Sequence, residues 1–297
     1  MLLRTAIHDP RCLRDNASMS RPFRNATAVL ILLASLAGVG CKPSASMVLG
    51  DCNDRTVDPA ILIAACSHAI ESGGLDKAAF SAAYTGRARG YFLQRKFEPG
   101  LADLDVLIRQ QPDNLLAFRY RGSAYSMQGD MDRALSDAHE EIRLAPNDAL
   151  SYVDLGQVYA EKGDFDHAIE NLNHAIELQP DNAFALNGRC WARAITGREF
   201  DEALADCERS LRLFPHDANT LNSRGFVHFR KQQYGAAISD YNESIASYDK
   251  LGSSFYIRGL AKLAVGDSTG SDDIAHGKQI EPGVDARYAR YGIPAAR

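Results

Sequence analysis

The chain has 297 residues, 45% of them hydrophobic, enough to bury a sizeable core. Its 33 basic and 38 acidic residues give a formal net charge of −5. That balance argues against a nucleic-acid role, which needs a basic stripe, and against a polybasic membrane-surface role.

In chain order, residues 26–40 (ATAVLILLASLAGVG) are the stretch apolar enough for a membrane, but they fall short of a span, which needs about 20 residues. Arg21 and Arg24 precede them and small residues close them, the order of an export signal. Met19 opens a better signal than Met1, so residues 1–18 are expected to come from an upstream start codon. Gly38-Val39-Gly40-Cys41 resembles the bacterial lipoprotein box, with Gly38 where Leu is usual, and this implies lipidation of Cys41. Simple cleavage near Gly40 or Ser46, or retention of an uncleaved anchor, are the alternatives. The expected location is the periplasm, membrane-anchored as a lipoprotein or otherwise secreted and soluble. Removal of residues 1–40 takes five Arg and two Asp, leaving 28 basic and 36 acidic residues and a net charge of −8. Residues 41–57 then form an N-terminal tether.

Residues 58–71 (DPAILIAACSHAIE) carry Leu62, Cys66, Ala69 and Ile70 on one helical face and are expected to cover the start of a repeated array. After a linker to residue 80, one motif of about 34 residues recurs. Pro112, Pro146, Pro180, Pro215 and Pro282 mark it, giving units 81–114, 115–148, 149–182, 183–217, 218–251 and 252–282. In the third unit, Tyr152, Leu155, Gly156 and Tyr159 share a helical face, Gly163 stops that helix, and Asp164 caps a second. The second helix carries Phe165, Ala168, Ile169, Leu172, Ala175, Ile176 and Leu178 and ends at Pro180. Gly156, Ala168 and Ala175 permit close approach of the pair. Residues 283–292 predict a short C-terminal capping helix with Tyr288 and Tyr291, followed by a loose tail from 293 to 297.

A large residue, Leu-Gly, an aromatic, Gly-Asp-aromatic, two alanines and a closing Pro together resemble the tetratricopeptide repeat. The first unit departs at Ala88, Arg95-Lys96 and Gly100, the fourth has an extra residue near Glu199, and the fifth has Gln232-Gln233 at its turn. The resemblance implies an all-α, right-handed superhelical solenoid of paired antiparallel helices whose first helices line a concave face. A non-repetitive helical bundle is the bland alternative, and six units in phase argue against it. Carried over by phase, the partner-binding positions are Arg89, Phe92, Leu116, Arg119, Ser123, Val153, Gln157, Asn187, Trp191, Asn222, Phe226, Arg230, Tyr256 and Leu260. Trp191, Phe226, Tyr256 and the arginines are hot-spot residue types. The carboxylate clamp of cytosolic chaperone-binding arrays is not reproduced, since a whole repeat separates Arg119 from Asn187 and Asn222.

Phase also decides the chemical-looking motifs. Gly266-Asp267-Ser268-Thr269-Gly270 falls on the inter-helix turn, making Ser268 a helix cap rather than a nucleophile. His167 and His174 are too far apart on one helix for a metal pair, and Glu140-Glu141 and Asp272-Asp273 are expected to be solvated. No catalytic, metal or cofactor site is expected. Cys12 goes with the leader, so Cys52–Cys66 and Cys190–Cys207 are plausible local disulfides, the second pair on facing helices of one repeat; buried free thiols are the alternative for that pair. The functional expectation is a non-enzymatic adaptor of the bacterial cell envelope that binds a peptide or partner helix in its groove. A homo-oligomeric structural module is the alternative, and an enzyme with a groove active site lacks supporting residues. Expected partners are proteins or peptides, with membrane contact only through a lipid on Cys41.

Overall fold

The computed structural model describes Cys52 and residues 56–294. The export signal, Cys41 and residues 42–50 lie outside the described residues. Among those described, the secondary structure is fourteen α-helices with no strand. The chain divides into two compact units, Met1–Ala124 and Tyr125–Arg297.

The first unit holds α1 (Pro59–Ser72), α2 (Lys77–Leu93), α3 (Phe97–Gln110) and most of α4 (Leu115–Met127). Asp58 caps α1 by accepting from the Ala60 N–H, with Pro59 at the first turn where its missing donor costs nothing. Leu62, Cys66 and Ala69 are buried, and α1 packs along α2. The approach is close. A Cβ on Gly86 would come within 2.6 Å of the Cys52 carbonyl, and one on Gly90 within 2.7 Å of Ile63. Cys52 and Cys66 are joined with their Cα atoms 5.6 Å apart. The second helix begins at Lys77 rather than at residue 81 because Asp76 accepts from the Ala79 N–H. Gly100 replaces the usual alanine because the ring of Phe92 fills its place.

The second unit contains the end of α4 and then α5 (Met131–Leu144), α6 (Ala149–Lys162), α7 (Phe165–Leu178), α8 (Ala183–Thr196), α9 (Phe200–Leu213), α10 (Ala218–Arg230), α11 (Tyr234–Ser247), α12 (Gly252–Ala264), α13 (Gly270–Ile280) and α14 (Val284–Arg290). From α5 onward each helix packs on the next, while α6, α8, α10 and α12 also touch one another in succession, forming a first-helix layer. Asp130, Asp148, Asp164, Asn182 and Asp217 each accept from a backbone N–H of the helix they precede. In the third repeat a Cβ on Gly156 would meet Leu172 at 2.9 Å, so the glycine does set the helix spacing. Cys190 and Cys207 join α8 to α9 with an S–S distance of 2.03 Å.

The inter-helix turn demands one left-handed residue whatever the sequence supplies. Gly129, Gly163 and Gly266 adopt φ of 80°, 86° and 85°, and Gln232 takes φ 59° at the same place, as Arg95 does with 57° in the first unit. The fourth repeat absorbs its extra residue by using two such positions, Gly197 and Glu199.

A recurring ion pair, which the repeat pattern did not reveal, ties the two helices of a repeat. Arg87, Arg189, Arg224 and Arg258 each hold Asp103, Asp206, Asp240 and Asp273 respectively through Nε and a terminal nitrogen, at 2.6–2.9 Å. The hydrogen bond to Asp103 raises the pKa of Arg87, and that to Asp240 does the same for Arg224. Burial alone would raise Asp273, but hydrogen bonds from Arg258 and Lys262 hold its carboxyl below the ordinary value. Asp273 is therefore a structural carboxylate, not the solvated charge expected. Glu141, 2% exposed, corrects the same expectation for its pair. Both residues stand on the helix side turned to a neighbour.

Ser268 does not cap the last second helix. That helix starts later, at Gly270, and Asp267 accepts from the N–H and hydroxyl of Thr269 to shape the turn. The delay brings Gly259 and Gly270 together: a Cβ on Gly259 would come within 2.5 Å of the Gly270 carbonyl.

Candidate functional site

In the second unit the first-helix layer presents the phase-predicted residues in rows. On α6, Gln157 is exposed and donates to Glu161 at 3.1 Å, while Val153 is buried. On α8, Trp191 is partly buried and lies 5.2 Å from Phe226 of α10. Phe226 and Tyr256 are each 0% exposed and Asn222 is 7% exposed. These three correct the expectation of an open face.

The cause is α14. This helix, expected to cap the end of the array, instead returns across the first-helix layer. Tyr288 sits 5.3 Å from Phe226 and 5.9 Å from Tyr256, and Tyr291 lies 6.1 Å from Trp191 and 6.2 Å from Phe165. These are ring separations typical of offset and edge-on packing. Ile293, expected in a loose tail, is 6% exposed. Arg230 donates to the Ile195 carbonyl at 3.1 Å and the Tyr291 carbonyl at 3.4 Å, and burial lowers its pKa. Asn222 donates to Ser254 and Ser253, so its amide serves packing between α10 and α12. Burial pushes the phenol pKa values of Tyr241 and Tyr288 well up, keeping both neutral.

In the first unit, Phe92 stacks on Phe97 at 6.0 Å and is half-buried, as is Arg89. Leu116 is 48% exposed, Ser123 is exposed, and Arg119 is half-buried.

One open depression of the second unit, of about 410 Å³, lies where the start of α8 meets the end of α9. Phe184 and Phe214 flank it, 68% and 58% exposed, and Asn187 lines it with a buried Oδ1 that has no hydrogen-bond partner. His216 and Asp217 form its polar edge, His216 held 3.0 Å from Glu243 and Asp217 committed to Thr220. Asn187 was among the predicted positions; Phe184 and Phe214 were not. The signal existed for Phe184, which occupies the same phase as Leu116 and Leu150. An apolar residue at this outward position in three successive repeats does not pack the core. Among the described residues no cluster of His, Cys, Asp and Glu could hold a metal, and no helix is long and apolar enough to cross a membrane.

Comparison with known proteins agrees with this geometry. Family models described as tetratricopeptide repeat match residues 149–182, and 85–149 together with 193–251. The chain belongs to the tetratricopeptide repeat family. No curated protein matches its sequence. Among solved structures, a tetratricopeptide repeat protein from Parabacteroides merdae is similar, with a TM-score of 0.64 and 15% identity, over 84% of this chain and 97% of that one. PilW, a type IV pilus biogenesis factor, gives 0.58 at 17% identity over 67% of this chain and 91% of its own. PilF of Pseudomonas aeruginosa gives 0.56 at 15% identity over 73% and 98%. At these identities the likeness concerns the fold. Tetratricopeptide proteins generally mediate protein–protein interaction, and the fold is typically a non-catalytic scaffold.

Proposed function

We propose that this tetratricopeptide protein is an exported adaptor of the bacterial cell envelope, held at the membrane through a lipid on Cys41, that captures an extended peptide of a partner protein. The depression between Phe184 and Phe214 carries the reading. Two bare aromatic rings face solvent beside a buried acceptor with no partner, an arrangement that costs stability in the free protein. A peptide whose apolar side chain lies between the rings takes both out of water. Burying one phenylalanine side chain contributes about 1.5–3 kcal/mol, or roughly ten- to hundredfold in affinity. The leader and lipoprotein-like box support the location, and the likeness in fold to one type IV pilus biogenesis factor is compatible with work in envelope assembly.

The test is cross-linked capture of envelope proteins with the parent chain and with Phe184→Ser, Phe214→Ser. The substitutions sit at exposed positions, so the helical spectrum and melting temperature should not change. Loss of the captured partner is expected; unchanged recovery removes the depression as the site.

A further inference from the structure

We propose that the face made by α8, α10 and α12 is a receptor for an amphipathic helix bearing aromatic residues, and that α14 is a resident occupant which such a helix displaces. The inference rests on the adaptor reading and names a second ligand class for the same layer. The occupant itself displays the chemistry the receptor accepts. Val284, Tyr288 and Tyr291 follow i, i+4, i+7 spacing, the pattern of a helix laid in a groove, and Ile293 follows them. Val284 and Tyr288 are fully buried. The receptor answers with one aromatic residue from each of three successive first helices: Trp191, Phe226 and Tyr256. At the phase of Trp191 and Phe226, the preceding repeat has the exposed polar Gln157 instead. The aromatic patch is thus local to these repeats and not a demand of the fold.

Four observations make the occupant displaceable. Its helix has seven residues and no side-chain cap, too short to persist once detached. It joins α13 through Gly283, a left-handed residue with φ 90° that can swing without steric penalty. Its polar ties are few: Lys278 with Asp285 at 2.7 Å and Arg287 with Glu281 at 2.5 Å, both beside the hinge, and Arg230 with the Tyr291 carbonyl at 3.4 Å. The fit is also incomplete, because the hydroxyls of Tyr241 and Tyr256 are buried without partners. A partner helix that supplied an acceptor to them would bind better than the segment it replaces. The bare receptor, in turn, would expose a contiguous aromatic patch, which explains why a cover is carried in the same chain.

The experiment uses a fluorescein-labelled peptide of residues 283–294. It is titrated against the unaltered chain, a chain ended after Pro282, and a full-length chain with Tyr288→Ser and Tyr291→Ser. Binding to at least one opened chain at about tenfold or more higher affinity than to the unaltered chain is expected, since the cis segment reduces the free receptor by that fraction. A peptide with both tyrosines changed to serine should not bind. Equal affinity for all three chains, binding to none, or binding that ignores the tyrosines overturns the proposal. So does loss of the helical fold in both opened chains, which would make α14 part of the core. The Phe184→Ser, Phe214→Ser change introduced into the opened chain should leave peptide binding intact, so the depression and the receptor fail or stand separately.

Discussion

Asp206→Ala tests whether the buried Arg–Asp pairs hold the repeats together. Asp206 is 8% exposed in its side chain and accepts three hydrogen bonds, two from Arg189 at 2.6 and 2.8 Å and one from Arg193 at 2.7 Å. Its two partners are 17% and 14% exposed. Arg193 keeps Glu199 at 2.8 Å, so the substitution orphans Arg189, left with Asn173 as its acceptor. Removing one member of a buried pair costs about 3–5 kcal/mol, chiefly because the remaining charge stays desolvated. The remaining acceptors of both arginines place the expected loss near 3 kcal/mol.

The chain contains its own control. At the phase of Arg189 and Asp206 the third repeat carries Leu155, 3% exposed, and Asn171, which donates to the His167 carbonyl at 2.9 Å. That repeat packs without the pair. Arg189→Leu with Asp206→Asn should therefore lose no more than about 1.5 kcal/mol, since replacing both partners spares the uncompensated charge. Urea unfolding followed by far-ultraviolet circular dichroism measures both, read as midpoint shifts at constant m. If the double variant is as unstable as Asp206→Ala, or Asp206→Ala costs under about 1 kcal/mol as an exposed pair would, the pairs are ornaments of the surface.

Three further outcomes are expected. Gln232→Gly should raise stability by about 1 kcal/mol in the same unfolding assay, because a glutamine at φ 59° carries the left-handed penalty that glycine lacks. Reduction of Cys190–Cys207, 17 residues apart, should lower stability by about 3 kcal/mol, and equal midpoints with and without reductant would show that the crosslink constrains nothing. Asp273, whose folded pKa is depressed, contributes stability that is complete above its unfolded pKa and is lost as pH falls through its folded value. Asp273→Asn should flatten the loss of stability below about pH 4, and a superimposable pH profile would refute the assignment.

The helical pairs were legible in the sequence because their determinants are local and periodic. Gly163 and Asp164 stop one helix and start the next, and Gly156 fixes the distance between them. The Arg–Asp pairs were equally periodic, yet charge on a helix is ordinarily solvated, and period alone does not reveal which side of the helix faces a neighbour. The start of α13 at Gly270 was illegible for another reason. Two polar residues could each cap, and the close contact between Gly259 and Gly270, nonlocal in sequence, selected the later start. Least legible was the return of α14, since one seven-residue segment has no repeat to fix its phase. Its tyrosines said that it would be covered, not by which surface.

The division between what repeats and what does not is consistent with the proposed binding face in the second unit. Scaffold positions recur in its last three repeats: Arg189, Arg224 and Arg258 with their aspartates. Positions on the first-helix layer change at every step, from Leu150, Val153 and Gln157 to Phe184, Asn187 and Trp191, then Asn219, Asn222 and Phe226. Packing demands repetition because each repeat meets the same neighbour. On this face Val153, Asn222 and Phe226 vary while packing against neighbours, whereas Leu150, Gln157 and Phe184 vary while exposed. Moving from α6 to α12 the layer passes from exposed polar Gln157, through the bare Phe184, to the covered Phe226 and Tyr256. A surface built only to be solvated would stay polar throughout, and one built only as core would not leave Phe184 and Phe214 bare. The mixed face fits a recognition surface, one part open and one part closed by the chain itself.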